Sequence, residues 1–144
     1  MRELKPGNRR RLHMHDEGAA SRRRILAEFR RSEPVAAAHL WIARIGGRPE
    51  RAVRDECFRS LVPGVLELGA TRIVVESCAQ DARDRAVIGD VLASRGAIAT
   101  VRCDVIPAAT DELLWAADVV AWAYGAGGEY RRSIADLVTV NRVP

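Results

Sequence analysis

The chain has 144 residues, 48% of them apolar and 29% charged, with a formal net charge of +4. That is the size and make-up of a single folded domain with a real hydrophobic core, and it excludes wholesale disorder. No apolar run approaches the ~20 residues of a membrane-spanning helix, and the opening MRELKPGNRRRLHMHDE has no apolar stretch behind its charges. The expectation is a cytoplasmic protein with no membrane partner.

From the N-terminus, Leu12 and Met14 alternate with Arg11, His13 and His15, which predicts a short strand over 9–15. Asp16 or Ser21 then caps a helix running to about Arg31, with Ile25, Leu26 and Phe29 at helical spacing. Glu33-Pro34 breaks it, and 35–45 reads as a buried strand ended by Gly46-Gly47. Pro49 suits the first position of a helix that turns Val53, Phe58, Leu61 and Val62 inward, and Pro63-Gly64 should kink or interrupt it. Thr71 to Val75 is a β-branched strand of the kind buried in a parallel sheet. Asp81 caps a helix through Arg95, which Gly96 stops, and 97–105 is another strand. Asp111 or Thr110 caps a strongly apolar helix over 112–124, and the GAGG run at 125–128 ends it. A turn of helix and a short strand in VTVNRVP complete the chain. Strands alternating with helices predict a three-layer α/β domain.

Charge is distributed unevenly. Residues 1–31 hold ten basic and four acidic side chains, whereas residues 32–144 hold thirteen basic and fifteen acidic. The arginines of two RRR runs, Arg9, Arg10 and Arg11 and then Arg22, Arg23 and Arg24, are candidates for contact with a nucleic-acid backbone. A solvated arginine-rich face is the bland alternative. Cys57, Cys78 and Cys103 are odd in number and far apart, which favours buried reduced thiols over a disulfide framework or a zinc knuckle.

Two carboxylates stand out. Glu76 falls at the carboxyl end of the TRIVV strand, where open α/β sheets place ligands. Asp118 is the one charged side chain between Leu113 and Tyr124, and an ionised carboxylate facing an apolar interior needs a cation, hydrogen bonds or a metal. Together they would offer hard oxygen ligands suited to Mg²⁺ or Mn²⁺. Asp118 could instead pair with Arg72 or Arg102, or reach solvent at the helix edge. If 9–15 is a strand, His13 and His15 project from one side and could share a metal. Gly46-Gly47 lacks G-K-[ST] and G-x-G-x-x-G signatures, GAGG follows a helix, and Ser77 has no G-x-S-x-G surroundings.

LHMHDE followed by arginines, then RIVVES with D-x-x-D behind it, then DELLWAADVVAWAYGAGG, resembles a group of ribonuclease-H-like domains of unknown function. The resemblance spans most of 9–128 and implies one ribonuclease-H-like three-layer domain with a mixed central sheet. Residues 1–33 would be a basic strand–helix segment, and 34–144 the α/β core. It implies a metal-dependent nuclease using Mg or Mn. Glu76 would be the acid ending the fourth core strand and Asp118 the acid on the last core helix. Glu56 or Asp55 would be a third, and His13 matches a histidine common in the group. Such domains normally open with a strand bearing an acidic pair, hairpin-paired to the next. That strand has no counterpart here, so the domain is expected to be N-terminally truncated. Loss of that strand would weaken metal binding, abolish cleavage and expose sheet edges through which the chain could self-associate. A non-catalytic nucleic-acid-binding protein, or an inactive fragment, is the competing expectation.

Overall fold

The computed structural model describes residues 13–144. Five helices and four strands follow in the order α1 (Ala19–Ser32), β1 (Ala38–Ile42), α2 (Glu50–Glu67), β2 (Arg72–Glu76), α3 (Asp81–Ser94), β3 (Arg102–Ile106), α4 (Glu112–Ala126), α5 (Gly128–Ile134) and β4 (Val138–Arg142). The chain is therefore mixed α/β, as the alternation of apolar periods requires.

Its strands pair two and two. β2 lies parallel to β3 in the register Arg72↔Arg102 to Glu76↔Ile106. β1 pairs with β4, and its bonds advance in step from Ala38 N–H on Leu137 O to Val143 N–H on Ile42 O, so this pair is parallel too. Two two-stranded ladders thus stand where the resemblance implies one mixed central sheet.

The chain divides into two compact units. Of the described residues, the first comprises 13–40 and 107–139, the second 41–106 and 140–144. In the first, Met14, Ile25, Leu26 and Phe29 pack with Trp115, Ala116, Val119, Val120, Ala123 and Ile134. In the second, Val62, Ile73, Ile88, Val91 and Leu92 form the centre, flanked by half-buried Phe58, Leu61 and Val75.

Several boundaries differ from the sequence reading. The strand expected over 9–15 is a 3-10 turn at Met14–Asp16, and its earlier residues, with Arg9, Arg10 and Arg11, lie outside the described residues. Within this turn Met14 is completely buried. α1 starts behind Gly18, and neither Asp16 nor Ser21 caps it, because the Ser21 hydroxyl donates to Glu17 instead. β1 is five residues long, shorter than the apolar run that announced it. α2 runs through Pro63 without a break. α4 continues to Ala126, into the GAGG run, before Gly127 at φ 71° turns the chain. Asp111 does cap α4, accepting the Leu113 N–H at 2.9 Å. No described helix is long and apolar enough to cross a membrane.

Candidate functional site

In the first unit, the 3-10 turn sets the site. Met14 inserts its side chain among Phe29, Trp115 and Val119, which brings its backbone against α4. Its N–H donates to Asp118 Oδ2 at 2.8 Å. The other oxygen, Oδ1, stands 3.7 Å from Nδ1 of His13, and the two side chains are 26% and 21% exposed. The turn is held from outside by Arg22, which donates to the Met14 and His15 carbonyls at 2.9 Å each and lies 4.6 Å over the Trp122 ring. Asp118 is therefore an oriented, half-buried carboxylate with a backbone donor on one oxygen and an imidazole beside the other. Neither Arg72 nor Arg102 is its partner; both bind Asp104.

His13 and His15 are not on one strand face. His15 is exposed within the turn, whereas His13 is the half-buried residue preceding it. The strand geometry that would turn both imidazoles to one side is absent, and His13 stands beside Asp118.

In the second unit, Glu76 is half-buried and closes β2 at the carboxyl edge of the parallel ladder. The next residue still belongs to that edge, since Ser77 N–H donates to Ile106 O at 2.8 Å. Just beyond, Cys78, Asp81 and Asp84 bring ligand atoms within 4.8 Å of one another. Their valences are largely taken. Arg54 grips fully buried Asp84 through two bonds of 3.0 and 2.8 Å. Asp81 accepts the Ser77 hydroxyl and the Cys78 N–H at 2.6 Å each, which holds its carboxyl below the usual range. A cation there would have to displace a guanidinium from a buried carboxylate, so this group fits a metal poorly. The sequence reading noted this D-x-x-D but missed that Arg54-Asp55 and Arg83-Asp84 repeat one dipeptide. The repeat gives two crossed ion pairs between α2 and α3, Arg54 with Asp84 and Arg83 with Asp55.

The remaining predicted residues are engaged elsewhere. Glu56 is bound by Arg48 at 2.8 Å, and Asp55 by Arg83. Arg23 pairs with Glu129 at 3.2 Å, Arg22 serves the turn, and Arg24 is exposed. Of the three cysteines, Cys57 and Cys103 are half-buried, with their thiols pushed up by burial, but Cys78 is exposed, contrary to the expectation of buried thiols. Asp118 and Glu76 belong to separate units. No protein-family model matches the chain, and no curated protein or solved structure is similar to it.

Proposed function

We propose that this chain is a divalent-cation-dependent phosphodiester hydrolase of the ribonuclease-H-like type, with Asp118 as a carboxylate ligand for Mg²⁺ or Mn²⁺. One observation carries the reading. Asp55, Asp84 and Asp104 are each neutralised by one or two guanidinium groups. Asp118 meets no guanidinium at ion-pair distance among the described residues; it has a backbone N–H and an imidazole. A half-buried carboxylate on so apolar a helix is costly without a compensating charge, and a bound cation supplies one.

Asp118 would hold the ion through Oδ1, with Oδ2 fixed by Met14. The chemistry such an ion supplies is charge against the phosphoryl oxygens and acidity for the attacking water.

Calorimetric titration with Mg²⁺ and Mn²⁺ tests this on the wild type and Asp118→Asn. The expected result is binding by the wild type and at least about tenfold weaker binding by the variant. A folded wild type that binds neither ion would remove the reading.

A further inference from the structure

Resting on Asp118 as a cation ligand, we infer that His13 is a second ligand of the same ion, and that the pair favours a nitrogen-tolerant divalent ion such as Mn²⁺ or Zn²⁺ over Mg²⁺. His13 Nδ1 and Asp118 Oδ1 are 3.7 Å apart. A hydrogen bond between them would span about 2.7–3.2 Å, so this is not one. Two ligands about 2.1 Å from one tetrahedral zinc-sized ion stand about 3.4 Å from each other. A small rotation of either side chain closes that difference.

The carboxylate cannot readily turn away, because Oδ2 is held by the Met14 N–H. Met14 is itself fully buried, and its carbonyl is gripped by Arg22. One peptide link therefore positions both candidates, since the N–H that fixes Asp118 is that of the residue directly after His13. His13 precedes the 3-10 turn in an extended conformation, φ −129° and ψ 118°, without strain. Both side chains keep about a quarter of their surface in solvent, leaving room for water in the remaining coordination positions. An imidazole nitrogen suits Mn²⁺ or Zn²⁺, whereas Mg²⁺ prefers oxygen ligands and parts with its water reluctantly.

The test titrates the full chain with MnCl₂, ZnCl₂ and MgCl₂ by calorimetry. Wild type is compared with His13→Ala, His13→Gln and Asp118→Asn, and pulsed EPR of the Mn²⁺-loaded wild type seeks nitrogen hyperfine coupling from a bound imidazole. Losing even an outer partner of a metal ligand costs about 10–100-fold in affinity, and a direct ligand costs at least as much. The expected result is nitrogen coupling in the wild type, and Mn²⁺ and Zn²⁺ affinity lowered by that factor in both His13 variants while Mg²⁺ affinity holds. Asp118→Asn should weaken all three. No nitrogen coupling, or equal losses of Mn²⁺ and Mg²⁺ in the His13 variants, overturns the role of His13 and leaves Asp118 standing. A wild type that binds none of the ions, or an Asp118→Asn that binds as the wild type does, overturns both.

Discussion

At the scale of single residues, the acids of this chain are distinguished by what neutralises them. Arg83 holds the Asp55 carboxyl below its ordinary range, and Arg72 and then Arg102 do the same for Asp104. The Asp104 arrangement follows from register: Arg72 and Arg102 are opposite each other on parallel strands, and an acid two residues along β3 accepts from both. A carboxyl whose pKa is depressed by folding binds protons more weakly when folded than when unfolded. Its contribution is whole above the unfolded value of about 3.9 and is lost as pH falls through the lower folded value. Asp55→Asn should therefore lower the urea midpoint at about pH 6, and the gap to the wild type should shrink as the pH drops below about 3.9. A gap that stayed constant over that range would mean that Asp55 contributes through packing and not through its charge. Asp118 was legible in the sequence as an acid in need of a partner, but its partner was not. Arg72 and Arg102 were reasonable guesses on charge alone. Its backbone donor, Met14, lies 104 residues away, on a segment whose alternation imitates a strand.

At the scale of elements, apolar periodicity located α1 to α4 and the β2 strand, and it failed where local chemistry competes with it. The segment 97–101 carries Ile98, Thr100 and Val101 and looks like a strand. After Gly96, however, Thr100 and Val101 both donate to Ala97 O, and the ladder starts only at Arg102, whose N–H reaches Thr71 O. Pro63 was expected to interrupt α2. It removes one N–H, but the carbonyl this frees is that of Arg59, an exposed residue where water can serve it. The neighbouring Gly64 has a firmer role. A Cβ at this position would fall 2.5 Å from Trp41 Cζ2, so the indole rests on the helix where the side chain is missing. Alanine would gain about 1 kcal/mol of helix propensity, yet overpacking against a rigid ring costs about 1–3 kcal/mol. Gly64→Ala should therefore be neutral to destabilising by up to about 2 kcal/mol. In a Trp41→Leu background the same change should become stabilising, because only the propensity gain is left. Urea midpoints of the four proteins in that cycle give the answer, and an unchanged effect of Gly64→Ala in both backgrounds would show that Trp41 does not set the constraint.

At the scale of the whole molecule, periodicity reaches its limit for a different reason. It assigns a residue to an inward face but does not say which core that face meets. Ile25 and Ile88 are equally apolar, each sits on a helix of 14 residues, and they are 2% and 0% exposed. Yet Ile25 packs with Phe29 and Trp115 in the first unit, and Ile88 with Val62 and Leu92 in the second. Chain order does not separate them either, because each unit is assembled from two stretches of sequence. Stability in proteins is commonly parcelled into cooperative units that open separately. Matched, mild truncations can reveal whether these two cores behave that way. Ile25→Val and Ile88→Val each remove one buried methyl group, at a cost of about 0.5–1.5 kcal/mol. At about 1 kcal/mol, amide exchange governed by opening of the affected core should speed up about fivefold. Ile25→Val should then act on the amides of α1 and α4, and Ile88→Val on those of α3, β2 and β3, each leaving the other set at wild-type rates. If either substitution raised exchange equally in both sets, the two cores would open as one cooperative unit, and a metal bound at Asp118 would stabilise the whole chain. Separate opening confines that stabilisation to the first unit, so exchange measured with and without Mn²⁺ would locate the ion without any assay of cleavage.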